Sequence, residues 1–216
     1  MCSIFHADIL SDLPYNRYNI PELAKKYKVY AIDLLGFGWS EKALVEYDAM
    51  IWKDQVVDFL KEIVKEPTVL VGNSLGGFTA LVAAVGLPEQ VVGVALLNSA
   101  GQFGNANSEP EKSDEETVLQ KFIIKPLKEV FQRVVLGFLF WQAKQPARIE
   151  SVLKSVYKNT SNVDDYLVDS ITMPAADPNA GEVYYRSTVG NQIVKENSFW
   201  KLKTIVVVNV FLFMCS

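Results

Sequence analysis

TVLVGNSLGGFTALVAAV, residues 68–85, is the stretch that decides the fold. Val69, Leu70 and Val71 make a short apolar run that drives into Gly72-Asn73-Ser74-Leu75-Gly76-Gly77, and Phe78, Leu81, Val82 and Val85 follow at helical spacing. The reading is a strand, a sharp turn and a helix, with a serine at the turn.

The spacing G-x-S-x-G is that of a nucleophile elbow. A serine held between a strand's end and a helix's first turn needs neighbours without side chains, because the two chain segments pass close to each other; Gly72 and Gly76 meet that need. The turn lifts Oγ of Ser74 clear of the sheet. The backbone N–H of Leu75 would then point out of the helix N-terminus, where it can stabilise a developing oxyanion. Phosphate-loop readings fail, since no lysine follows the glycines and Ser74 stands where a dinucleotide fingerprint needs glycine.

Working outward, the residues 28–34, KVYAIDL, read as a strand, and the residues 91–97, VVGVALL, as a nearly all-apolar strand covered on both faces. A short helix opening on Pro21 precedes the first. Between them, residues 47–66 form a long amphipathic helix with Met50, Val57, Leu60, Ile63 and Val64 on its apolar side, stopped by Pro67. Three strands separated by two helices predict an α/β fold with a parallel, right-handed βαβαβ core. The loop Asp33-Leu34-Leu35-Gly36-Phe37-Gly38-Trp39-Ser40 leaves the first of these strands; Asp33 is expected to cap loop amides, and Gly36 and Gly38 to let the loop pass near the elbow.

From Gly101 the chain turns polar and acidic to Glu116, then strongly apolar from Val118 to Trp141, the apolar residues interrupted by Pro126 and scattered basic ones, and helical stretches follow at 147–158 and 162–172. A helical insertion of this kind, residues 101–186, reads either as a lid over a bulky, apolar ligand or as a helical subdomain packed on the sheet or presented to a partner. Residues 1–16 show no periodicity and read as a divergent leader, 17–100 as the core, and 187–216 as a divergent apolar tail. The apolar stretch at 204–215 is too short to span a bilayer, and is either a terminal strand or an aggregation-prone segment.

The chain has 216 residues, half of them hydrophobic, enough for one core with a small lid. Its net charge of -4 gives no basic footprint, so nucleic acid is not an expected partner. Cys2 and Cys215, at opposite ends, offer neither a disulfide framework nor a metal spacing, and no cofactor or metal is expected. The first residues resemble neither a secretory signal nor a transit peptide, which leaves the cytoplasm or an unknown compartment. One count bears on chemistry directly: the only histidine is His6.

Taken together, the loop at 33–40, the elbow at 72–77 and Val94-Ala95-Leu96-Leu97-Asn98-Ser99-Ala100 resemble the α/β-hydrolase superfamily, and more narrowly its plant chloroplast branch of pheophytinase-like hydrolases. The resemblance runs from about Arg17 to Arg186. It implies that the three strands are the fourth to sixth of an eight-stranded sheet and that the segment to Arg186 is the cap. It makes Ser74 the nucleophile position and Leu75 an oxyanion donor, gives Asp33, Gly36, Gly38 and Ser40 a structural part, and implies a chloroplast address for the full-length family. The family's His-Gly strand end is not found in residues 1–16, its triad Asp and His are not found past Arg186, and Asn98 is an amide where some hydrolases place an acid. The expected function is therefore a carboxylester-type serine hydrolase lineage, catalytically incomplete in this chain. The alternatives are a non-catalytic module binding an apolar ligand or partner, or an unstable splice or truncation product.

Overall fold

The computed structural model describes residues 3–8, 17–97, 99, 102–104, 125–189, 193–195 and 205–206, with side chains at 17–97, 99 and 127–189. The apolar run before the elbow is β3 (Thr68–Asn73), and the small-residue segment after it is α3 (Leu75–Gly86). Ahead of them come β1 (Ser3–Asp8), α1 (Asn19–Ala24), β2 (Lys28–Asp33) and α2 (Ala49–Phe59). Behind them come β4 (Val91–Leu97) and β5 (Gln102–Gly104). Four helices follow, α4 (Lys125–Ala143), α5 (Pro146–Val156), α6 (Asp165–Thr172) and α7 (Ala180–Val189), and then β6 (Ile193–Lys195) and β7 (Ile205–Val206).

Five strands form one sheet in the order β2-β1-β3-β4-β7, and every pairing in it is parallel. The parallel α/β core expected from the sequence is present, with one correction. Within residues 1–16, read as a leader, Ser3–Asp8 is a strand between β2 and β3, in register from Ser3 with Lys28 and Thr68. The three strands read from the sequence are therefore not all neighbours. Ser3, His6 and Asp8 broke the apolar pattern a covered parallel strand normally shows, so only its partners reveal it. A strand thus does precede Arg17, though without the family's His-Gly ending.

The apolar tail contributes β7, whose Ile205 and Val206 pair with Val94 and Ala95 on β4. Within the segment expected to be polar linker, Gln102–Gly104 pairs parallel with Ile193–Lys195. Pro126, which interrupts the apolar stretch in the sequence, is the second residue of α4, where the helix needs no N–H from it. Pro21 likewise falls in the first turn of α1, which begins two residues earlier than read.

The main core gathers Trp52, Val56 and Leu60 of the α2 segment, Leu70, the alanines of α3, and Val94 and Leu96. Asp48 caps α2 by accepting from the amides of Met50 and Ile51. Past Phe59 the helix widens into a π turn, Leu60–Val64. With the extra residue in that turn, Val64 rather than Ile63 follows Leu60 inward. Ile63 and Met50, both read as core, are exposed, and Trp52 and Val56 take the buried stripe instead.

Helix α4 lies on α7 through Phe140, whose ring centroid is 5.3 Å from that of Tyr184, and through Arg133, which pairs with Glu182 and sits over Tyr185. Leu127, Val130, Phe131, Val134, Phe138 and Trp141 recur every three or four residues on another face of α4, and all are exposed. Among the described residues no helix is long and apolar enough to cross a membrane.

Phe78 is 0 % exposed and Phe131 is 67 % exposed, which separates two phenylalanine changes sharply. Phe78→Ala is expected to cost about 3–5 kcal/mol of unfolding free energy, whereas Phe131→Ser stays within about 0.5 kcal/mol. Urea unfolding checks both; a large loss for Phe131→Ser would mean that the outer face of α4 is covered.

Candidate functional site

Ser74 is held between β3 and α3 with φ 51° and ψ -121°. It is one of two non-glycine residues with positive φ among those described, the other being Lys65 in the turn that ends the α2 segment. Such a conformation costs on the order of 1–3 kcal/mol and persists only where the surroundings impose it. Here the surroundings are hydrogen bonds on both sides. The Ser74 amide donates to the Leu97 carbonyl on β4 (3.1 Å), and its carbonyl accepts from the amide of Phe78 (3.2 Å), starting the helix.

The glycines show why the turn is this sharp. A Cβ on Gly72 would stand 2.3 Å from the Gly76 carbonyl oxygen and 2.5 Å from the Gly77 amide nitrogen, so strand and helix backbones touch there. A Cβ on Gly77 would lie 2.9 Å from the Gly72 carbonyl oxygen and 3.1 Å from Ser99. Gly76 is buried in the same contact, and Asn73, the last residue of β3, is in register with Leu97. Leu75 opens α3; its half-buried side chain packs on the core, while its N–H belongs to the first turn, whose amides have no acceptor within the helix.

The loop after β2 is tied down from several directions. Asp33 Oδ2 accepts from the Trp39 amide (2.8 Å), and the Asp33 carbonyl accepts from Ser40 Oγ (2.6 Å). Gly36 (φ 88°) and Gly38 (φ 47°) both use conformations that favour glycine, and a Cβ on Gly38 would run into the Asp33 carboxylate. Two polar side chains that the sequence reading did not single out complete the fastening. Gln55 on α2 accepts from the Leu35 amide (2.9 Å) and donates to the Asp33 carbonyl (3.2 Å). Lys42, 8 % exposed, donates through Nζ to the carbonyls of Gly38 and Ser40. Nothing local marks either residue, because their partners lie on the folded loop.

The elbow and this loop both leave the C-terminal ends of parallel strands, the edge where α/β sheets bind ligands. His6 is not at that edge. Its place on β1 is level with Ala31 and Val71, about 10 Å along the strand direction before Ser74. Asn98 lies outside the described residues. Among the described residues no cluster of three or more His, Cys, Asp or Glu side chains is arranged to hold a metal.

The helical segment meets the core at a few points. Asn179 Nδ2 donates to the Lys42 carbonyl (3.4 Å), and Arg186 donates to the Val45 carbonyl (3.1 Å). Val183 of α7 is buried against Gly36 and Tyr47. Arg17 donates to both oxygens of Asp164 and to the Asn162 carbonyl. Asp164 also caps α6 by accepting from the Leu167 amide, and these contacts outweigh desolvation and hold its carboxyl below the usual range.

The loop geometry predicts that Asp33→Ala lowers the unfolding free energy by about 1.5–3 kcal/mol, through loss of a charged acceptor for the Trp39 amide. Glu22→Ala, on an exposed i,i+3 ion pair, is expected to change it by less than about 0.5 kcal/mol. Equal effects in urea unfolding would show that the carboxylate does not organise the loop.

The family model described as alpha/beta hydrolase fold matches residues 10–150. Among curated proteins, the chain is 45% identical over 86 residues to 2-hydroxymuconate semialdehyde hydrolase of Pseudomonas sp. (strain CF600), covering 39% of this chain and 30% of that protein. It is 30% identical over 194 residues to the chloroplastic pheophytinase of Arabidopsis thaliana, covering 73% of this chain and 40% of that one. The chain thus spans well under half the length of these two relatives. Among solved structures, Cfl2 from Burkholderia cenocepacia matches with TM-score 0.64 at 19% identity, over 95% of this chain and 79% of that one. The meta-cleavage product hydrolase CumD of Pseudomonas fluorescens matches with TM-score 0.61 at 19% identity, over 96% and 72% of the two chains. With the family model matching well over half its length, and with a parallel sheet whose central strand leads into a strained serine between Gly72 and Gly76, the chain belongs to the α/β-hydrolase fold family.

Proposed function

We propose that Ser74 is the nucleophile position of a carboxylester-type serine hydrolase site and that the Leu75 N–H is one of its oxyanion donors. The observation that carries this reading is the backbone of Ser74, a non-glycine residue at φ 51° on a strand-to-helix turn. In the proposed reaction Oγ attacks the ester carbonyl carbon, the alcohol leaves, and water releases the acid from the acyl serine. The helical segment favours a bulky, apolar ester. The names of the hydrolase relatives support hydrolysis as the reaction class, and the Arabidopsis protein's name supports a chloroplast address for the full-length lineage.

The proton on Oγ needs a base, and a serine without one is a poor nucleophile. Among these 216 residues the sole histidine is His6, which belongs to β1 well before the ligand-binding edge. A base for Ser74 is therefore proposed to come from outside these residues. Without it, turnover is expected to fall by roughly 10⁴–10⁶ from that of a complete triad. The second reading, a non-catalytic module that binds an apolar ligand or partner, draws on the exposed apolar face of α4.

Fluorophosphonate labelling with added imidazole as a surrogate base separates the parts of the proposal. The expected result is negligible labelling of the purified chain alone, labelling in imidazole, and loss of that labelling in Ser74→Ala. Brisk Ser74-dependent labelling without imidazole would overturn the missing base. Labelling that persists in Ser74→Ala would overturn the nucleophile.

A further inference from the structure

A cavity of about 280 Å³ lies between the loop after β2 and the helices α4 to α7, and Ser74 is not among the residues that line it. Its walls are largely apolar, with Phe37 contributed by the loop and Phe140, Ile171 and Tyr184 by the helices. Two of the lining residues are lysines, Lys42 and Lys144, and none is an aspartate or glutamate. In a chain of net negative charge, two cations and no acid around one apolar cavity is a selective arrangement.

Neither lysine has a carboxylate within ion-pair distance among the described residues. Lys42 Nζ spends two of its three N–H donors on the carbonyls of Gly38 and Ser40, and Asp177 and Asp33 act on it only through space. Burial pushes its ammonium pKa down despite those two acids, as expected of a charge that lacks a close counterion. Lys144 Nζ reaches the Ala175 carbonyl only at 3.4 Å and sits 5.6 Å from the Phe140 ring centroid. Lys42, a buried cation held only by carbonyl dipoles, gains from an anion, and the half-buried Lys144 adds a second positive charge beside it.

We infer that this cavity is a binding site for a compact apolar monocarboxylate, its hydrocarbon body against Phe37, Phe140 and Ile171 and its carboxylate toward Lys42 and Lys144. The volume, at the low end for small-molecule pockets, suits one or two fused rings or a short branched chain. Because the walls come from both the core loop and the helical segment, an occupant would fasten the two together. The site is separate from the elbow and does not depend on the reading of Ser74.

The test is isothermal titration calorimetry of the full chain with 1-naphthoate, and with 1-naphthylmethanol and 1-naphthylmethylammonium as neutral and cationic counterparts. Naphthoate is expected to bind at least about tenfold more tightly than the alcohol, with the ammonium weakest. Lys144→Met, at a residue with few other partners, is expected to reduce the preference for the acid. Ile171→Trp and Ala175→Phe, which fill the cavity, are expected to abolish binding in chain that retains its thermal transition. No binding of naphthoate, or no preference for the acid, would overturn the inference. So would an unchanged preference in Lys144→Met, which decides the matter should the filling variants fail to fold. Binding that survives the filling substitutions would place the probe elsewhere, such as the outer face of α4, and would also overturn it.

Discussion

The contact between the backbone of Gly72 and that of Gly76 and Gly77 is the constraint on which the rest depends. With no side chain at Gly72, the last turn of β3 and the first turn of α3 come within van der Waals range, and the chain reverses from strand to helix within one residue. That residue is Ser74, forced to positive φ because no relaxed conformation joins the two elements at this spacing. The helix that leaves the turn is buried from Gly76 to Ala84, and small residues let it lie tightly against the sheet and α2. A strained serine is sustained because its neighbours are packed too closely to relax around it.

The second organising contact joins core and helical segment. Gly36, at φ 88°, brings the loop after β2 so close to α7 that a Cβ there would stand 2.7 Å from Val183 and 2.8 Å from Tyr47. Val183 thereby becomes part of the core cluster, and it is the main apolar anchor of the helices on the sheet. The polar links around it are few, and the exposed ion pairs on the helices contribute little to stability. The α5–α6 pair builds its own small cluster from Leu153, Tyr157, Val163, Leu167 and Val168. The helical segment is thus held together partly from within and joined to the core mainly through α7.

What was legible in the sequence is what local chemistry dictates. Gly72 and Gly76 announce the turn because side chains there would collide where strand and helix pass, and the apolar runs of β3 and β4 need no partner to be recognised. The strand β1 was hidden because Ser3, His6 and Asp8 are ordinary loop residues, and only register with Lys28–Asp33 and Thr68–Asn73 makes Ser3–Asp8 a strand. Periodicity placed Ile63 inside because it assumes 3.6 residues per turn, and the π turn at Leu60–Val64 breaks that assumption. Lys42 and Gln55 carry no pattern at all. Their work is to satisfy carbonyls and amides of a loop that exists only once folded.

The central claim is that Gly72 is required by backbone contact with the elbow and not by generic strand packing. Thermal unfolding of Gly72→Ala beside Gly93→Ala tests it most directly, because a Cβ on Gly93 of the neighbouring strand would meet only Val69 side-chain carbons, at 3.6 Å or more. The account predicts loss of the cooperative transition, or a deficit of several kcal/mol, for Gly72→Ala, and a change within about 1 kcal/mol for Gly93→Ala. Similar transitions for the two variants would contradict it.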